Sequence, residues 1–244
     1  MTELLPSQNG VLYIYGNYTG DKINFEIAIS QMKAAGVRCE QIVVSDDVMS
    51  APRQFWTDRR CIAGIVLIYK IAGACARRGD SMDEILPLLH RVNENMASVG
   101  IALTSCHIPT TQKPIFNIAS DEMEFGMGIH GEPGVKRVKM MTSREIAASM
   151  TDLAADDLKL TRGDRAVLLL NGMSALPKDE LFILYADIRS HLDDLGIEAV
   201  RSYVGEYATS LEMSGASLTL LRYEDEYAPL LDVGASSPFV FFNP

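Results

Sequence analysis

An apolar run, an amphipathic stretch and a second apolar run follow one another within the first 45 residues, and this order restricts the fold more than any other feature. Val11-Leu-Tyr-Ile-Tyr15 is short, apolar and aromatic, and reads as a buried strand. Asn17-Tyr-Thr-Gly-Asp21 is turn chemistry. Lys22 to Ala35 then reads as a helix, with Ile23, Phe25, Ile27, Ile29, Met32 and Ala34 forming a broad apolar face that stops at Gly36. Gln41-Ile-Val-Val-Ser45 supplies the second strand. Strand, helix, strand is a βαβ unit, which implies a parallel sheet whose ligands gather beyond the strand C-termini. Asp21 lies at that edge and has two readings there, a helix N-cap or a general base.

Further along, the β-branched run of Cys61 to Arg78 suggests a strand, while its length and Ala-rich end suggest a buried helix, which is the expected form. Ser81-Met-Asp-Glu84 is a capping box opening a helix to about Ser98, with Pro87 expected to delay its start or bend it. Gly100 to Ser105 reads as a strand that opens a second domain, and a loop-rich stretch from Cys106 to Met141 follows. Thr142-Ser-Arg-Glu145 caps a helix to about Leu158. Ala166 to Leu170 is a strand, Glu180 to Leu195 a helix ended by Gly196, and Ile197–Val204 and Ala216–Arg222 are further strands. The expected fold class is α/β in two α/β domains. Residues 1–98 carry a mostly parallel sheet and residues 99–244 a mixed one.

Composition removes several function classes. Of the 244 residues 48% are hydrophobic and 22% charged, which suits a packed globular chain rather than a disordered one. A net charge of −10 argues against a nucleic-acid partner, since phosphate-backbone binding needs clustered Lys and Arg. The basic cluster Lys136, Arg137 and Lys139 suits a small anion, an acidic partner surface or plain solvation. No apolar run reaches the roughly 18 residues that a membrane helix needs. The start of the chain lacks the basic and apolar regions of a signal peptide, and Cys39, Cys61, Cys75 and Cys106 form no Cys-x-x-Cys pair. These features favour a cytoplasmic protein with reduced thiols and no metal site.

The chemistry concentrates in Gly126-Met-Gly-Ile-His-Gly-Glu-Pro-Gly134, where four glycines and a proline surround His130. Such a loop exposes an imidazole and lets a small molecule approach the backbone, although an ordinary loop histidine fits the same letters. Gly126 to Gly131 also spells Gly-x-Gly-x-x-Gly, but no apolar strand precedes it and no helix follows directly, so the dinucleotide fingerprint is not met. No Gly-x-x-x-x-Gly-Lys-Ser/Thr loop occurs either. His90 and His191 fall in expected helices, and His107 lies where a strand passes into a loop.

Several of these stretches together resemble the substrate-binding subunit of the dihydroxyacetone kinases. They are Gly16-Asn-Tyr-Thr-Gly-Asp21 to Ala28, Val43-Val-Ser-Asp-Asp-Val48, Arg60-Cys-Ile-Ala-Gly64, Lys70-Ile-Ala-Gly-Ala74, Glu122 to Gly134, Asn171-Gly172 and Thr209-Ser-Leu-Glu-Met-Ser-Gly215. The resemblance runs in order over nearly the whole chain. It implies that His130 adds to a substrate ketone as a covalent hemiaminal, and that Asp21 is the acid/base on the hydroxyl that receives the phosphoryl group. It implies no cofactor on this chain: ATP or ADP, or a phosphotransferase-system donor, is expected on a partner subunit. The implied substrate is a short ketose such as dihydroxyacetone, and a homodimer is implied as well.

Two departures from the family pattern stand out. A Gly-Gly-Gly-Ser-Gly-His-Glu-Pro segment that supplies a second histidine in the family does not occur in this sequence. Residues 1–98 are therefore expected to be the C-terminal part of the first kinase-type domain, with another chain supplying the rest. The family's substrate-contacting lysine is replaced by Gly16, which implies either a site lacking one cation or room for a larger substrate such as a four-carbon ketose. The implied function is a substrate-binding subunit of a dihydroxyacetone-type kinase, active with a partner. The alternative is a non-catalytic ketose-binding co-activator or sensor.

Overall fold

The computed structural model describes residues 9–132, 134–238 and 241–242. Strand β1 (Val11–Gly16) and strand β2 (Cys39–Val44) pair in parallel, with Val11 opposite Cys39 and Gly16 opposite Val44. Helix α1 (Thr19–Ala34) makes the crossover, so the expected βαβ unit is present. Phe25, Ile29 and Met32 stand four and then three residues apart, which puts them on one helix face against Tyr13, Tyr15 and Cys39. Tyr15 stacks on Phe25 with ring centres 4.4 Å apart. The broad apolar face expected for this helix is narrower in fact. Ile23 and Ile27 point away from the sheet, each 53% exposed, because their own i, i+4 row lies on another side of the helix.

Beyond β2 the chain makes a 3₁₀ turn at Arg53–Asp58 and enters helices α2 (Ile65–Arg78) and α3 (Met82–Glu94). The capping box of Ser81 and Glu84 forms as expected, and α3 continues through Pro87. It stops at Glu94, short of the expected end, and strand β3 (Met96–Ala102) starts correspondingly early. The stretch expected to be loop contains four short strands: β4 (His107–Ile108), β5 (Lys113–Pro114), β6 (Glu122–Phe125) and β7 (Lys136–Lys139). Three of them are too short or too polar for an apolar period to show, whereas Glu122-Met-Glu-Phe125 does alternate and sends Met123 and Phe125 into one core face.

Helix α4 (Ser143–Leu158), strand β8 (Arg165–Gly172), helix α5 (Lys178–Leu195), strand β9 (Glu198–Gly205) and strand β10 (Gly215–Arg222) complete the main frame. The short helix α6 (Ala228–Leu231) and strands β11 (Ala235–Ser236) and β12 (Phe241–Phe242) follow. Strands β7-β6-β3-β10-β8-β9 form one sheet in that order, antiparallel except for the β8–β9 pair. The sheet is thus mixed, as expected.

Its two faces are both buried, and strand alternation divides β8 between them. Leu168 and Leu170 join Ile146, Met150, Leu184 and Ile188 beneath α4 and α5. Val167 and Leu169 join Leu67, Ile71 and Leu89 of α2 and α3. The boundary expected between residues 98 and 99 falls inside β3. The helices preceding it share a core with the strands following it.

Arg59 is 1% exposed and ties the irregular 45–60 stretch to α4. Its guanidinium donates in bidentate fashion to Asp157 at 2.9 and 2.6 Å, and its Nε donates to the Ala51 carbonyl at 2.8 Å. Removing one partner leaves a buried charge uncompensated. Asp157→Ala is therefore expected to lower unfolding free energy by about 3–5 kcal/mol, measured by urea denaturation.

Candidate active site

Two chain segments far apart in sequence meet here. The first follows β1 at the C-terminal edge of the parallel pair, and the second is the connection between β6 and β7. In the first segment Asn17 is pinned by its Nδ2, which donates to the carbonyls of Thr57 and Arg59 at 2.9 and 2.7 Å. Tyr18, extended at φ −118° and ψ 144°, is the N-cap residue of α1. The N-cap reading of Asp21 is thereby corrected. The helix begins at Thr19, before Asp21, whose carboxylate lies in the first turn where the helix dipole favours negative charge.

The second segment presents His130, whose side chain is 59% exposed. Glu132 folds back on it. One carboxylate oxygen accepts from the His130 backbone N–H at 3.1 Å, and the other stands 3.0 Å from the ring Nδ1. The turn closes with the Gly131 N–H donating to the Gly128 carbonyl at 3.1 Å, and Gly131 is left-handed at φ +81°. Gly128 matters for a different reason: a Cβ there would stand 2.0 Å from the Glu132 Oε2, so any side chain would displace that carboxylate. The Glu132 hydrogen bond raises the His130 pKa above its usual value against the opposing effect of burial, and the Glu132 and Asp21 charges add to it. Burial pushes the Glu132 carboxyl up, but the hydrogen bonds from His130 and the backbone prevail and lower it.

The two segments touch through Tyr18. Its ring meets the His130 ring edge-on, with centres 4.6 Å apart and planes at 76°. Its hydroxyl donates to the Cys61 carbonyl at 2.5 Å. Burial, and then the charge of Glu132, push this phenol far above its normal range. Gly16 lies beneath the Tyr18 ring. A Cβ at that position would stand 3.0 Å from the Cys61 Cβ and 3.2 Å from the ring, so Gly16 lets Tyr18 pack closely here.

Among the residues singled out from the sequence, His130, Asp21 and Gly16 all lie in this region. Tyr18 and Glu132 were missed as site residues. The signal for Glu132 was a carboxylate two residues from a histidine inside a glycine turn. His107 lies elsewhere, with its Nδ1 2.5 Å from Glu212, and His191 pairs with Asp152 on the surface. Of the basic cluster, Arg137 pairs with Glu124 and Lys139 with Asp121. Among the described residues, no group of three or more His, Cys, Asp or Glu side chains is arranged to hold a metal.

Several of the matching motifs turn out to be scaffold. Asp46 and Asp47, directly after β2, are both fully buried. Asp46 accepts from the Ile62 and Gly64 N–H groups at 2.9 and 2.8 Å and from the Ser98 hydroxyl at 2.5 Å. Asp47 pairs with Arg60 at 2.7 Å, and Arg60 also donates to the Gly126 carbonyl at 2.6 Å, which holds the root of the His130 loop. Asn171 is a clamp: its oxygen accepts from the Tyr207 and Ala208 N–H groups at 2.8 and 2.9 Å, while its nitrogen donates to the Ala208 carbonyl at 2.7 Å.

Fold and site together define an α/β protein that presents one imidazole from a glycine turn beside a helix-borne carboxylate. The sequence model of the Dak1 domain matches residues 1–239, and the chain belongs to that family. It is 43% identical over 217 residues to the dihydroxyacetone-binding subunit DhaK of a PTS-dependent dihydroxyacetone kinase from Listeria innocua, covering 89% of this chain and 66% of that one. The chain thus spans about two thirds of that relative's length. Among solved structures, the dihydroxyacetone kinase operon co-activator Dha-DhaQ superposes with a TM-score of 0.88 at 32% identity, over 95% of this chain and 72% of that chain. The dihydroxyacetone kinase of C. freundii gives 0.78 at 31% identity, over 93% and 41% respectively.

Burial raises the Asp47 pKa to about 6, with Arg60 holding it down. The folded state therefore keeps a proton that the unfolded state releases, and stability falls as pH rises between the usual 3.8 and about 6. Arg60→Ala removes the restraining charge and extends this window upward. It is expected to cost on the order of 3 kcal/mol at about pH 8 and distinctly less at about pH 5, measured by urea unfolding at both values.

Proposed function

We propose that the chain is the substrate-binding subunit of a dihydroxyacetone-type kinase, in which His130 tethers a short ketose. One observation carries this reading. The ring Nδ1 of His130 is engaged by Glu132, while Nε2 has no hydrogen-bond partner among the described residues on an exposed side chain. A neutral imidazole held this way is a nucleophile for a carbonyl carbon. The lone pair of Nε2 forms the new C–N bond, the carbonyl π pair moves to oxygen, and that oxygen takes up one proton as the ring gives one up. Polyols lack the carbonyl and are excluded.

Asp21, on the first turn of α1, is the acid/base for the hydroxyl that accepts the phosphoryl group. The phosphoryl donor comes from a partner subunit, in keeping with a sequence that lacks a phosphate-cradling loop. Phosphoryl transfer is catalysed mainly by positioning, which a covalent tether supplies. The likeness to the co-activator structure and the glycine at position 16 favour a second reading, a ketose-binding co-activator without turnover.

Addition of 13C-labelled dihydroxyacetone is expected to replace its carbonyl NMR signal with a hemiaminal signal, which His130→Ala abolishes. The capture rises with pH, because protonated imidazole has no lone pair at Nε2, and its midpoint lies above the usual 6.5. Asp21→Asn retains capture and loses phosphoryl transfer in an assay reconstituted with a nucleotide-carrying subunit. Absence of any adduct at about pH 8 overturns the reading. Adduct formation without phosphorylated product under any pairing selects the co-activator.

A further inference from the structure

The carboxylate of Glu132 makes two contacts with one residue and is given room by a third. It receives the backbone N–H of His130 at 3.1 Å on Oε2 and faces the ring Nδ1 at 3.0 Å with Oε1. The space it occupies exists because Gly128 has no Cβ; an added methyl carbon would stand 2.0 Å from Oε2. An ionised carboxylate is an acceptor only, so an Nδ1 that meets it must carry the proton. The Nε2 of a neutral ring then carries the lone pair. We infer that Glu132 is a positioning residue for ketose capture, which holds the His130 ring in the Nδ1–H tautomer and steadies the charge that develops on it as the C–N bond forms. This inference rests on the proposed tethering role of His130.

The arrangement has the logic of a carboxylate that orients a catalytic imidazole, compressed into a single turn. The titratable and charged groups around His130 are Glu132 on its own loop, Asp21 on α1 and Tyr18 after β1. Tyr18 presents a ring edge and commits its hydroxyl to the Cys61 carbonyl, so it does not compete for the imidazole nitrogens. Asp21 contributes a second negative charge. Removing the Glu132 charge is therefore expected to bring the His130 titration midpoint down while leaving the influence of Asp21 in place.

The test begins with the ligand-free protein. In 15N NMR of neutral His130, Nδ1 is expected to be pyrrole-like and Nε2 pyridine-like. The reverse tautomer overturns the inference whether or not ketose is captured. Glu132→Gln is then expected to lower the titration midpoint of His130 and to slow ketose capture about tenfold or more at a pH where the ring is neutral. Gly128→Ala keeps the carboxylate but displaces it, and is expected to reproduce both changes; Glu132→Asp is expected to restore part of the rate. Parental capture rates and an unchanged midpoint in both Glu132→Gln and Gly128→Ala overturn the inference. A wild-type protein that shows the Nδ1–H tautomer yet captures no ketose refutes the tethering role and leaves the positioning of the ring by Glu132 standing.

Discussion

The carboxylate of Asp46 is the point through which the rest of the structure is registered. It is buried, and its oxygens collect two backbone N–H groups at the entrance to α2 and one hydroxyl from the central strand β3. Its backbone carbonyl also accepts from Ser98 at 2.7 Å. A buried carboxylate is tolerated only when its lone pairs are met in this way. Gly64 is forced by the same contact, since a Cβ there would stand 2.7 Å from the Asp46 Oδ2. The neighbouring Asp47 extends the connection through Arg60 to Gly126. A small parallel pair, two helices, a six-stranded sheet and the His130 loop are thereby fixed to one another.

This arrangement explains why the matching motifs are spread along the chain while the chemistry is confined to a few side chains. Val43 to Val48, Arg60 to Gly64 and Asn171-Gly172 hold backbone to backbone across large sequence separations. Polar residues in such places are costly to replace singly, because each removal leaves several donors or acceptors unmet. The groups suited to reaction number far fewer: His130, Glu132 and Asp21, with Tyr18 between the two segments.

How much was legible in the sequence depended on whether the signal was local. The βαβ unit, both capping boxes and helices α4 and α5 follow from apolar period and end chemistry and are present, whereas the pattern of α2 suits a strand as well and its helix starts at Ile65, later than Cys61. The start of α1 was misplaced because Tyr18, with no side-chain cap, marks the N-terminus by backbone conformation alone. Strand β6 carries a period-2 signal, Glu-Met-Glu-Phe, too short to stand out within a loop-rich stretch, and β7 is a strand through its pairing with β6. At the site, His130 stood out by its glycine frame, but its tautomer did not. That depends on a carboxylate folding back over a missing side chain.

The contact between Glu132 and His130 spans two residues of one turn, so it is made without help from either sheet. The placement of Asp21 relative to that turn depends instead on β1, α1 and the Arg60 link to Gly126. The environment of the His130 ring and its placement against Asp21 are consequently set by different parts of the molecule. Substitutions in the frame around Arg60 move the His130 turn and the Asp21 carboxylate relative to one another, while the Glu132–His130 contact inside the turn moves with it.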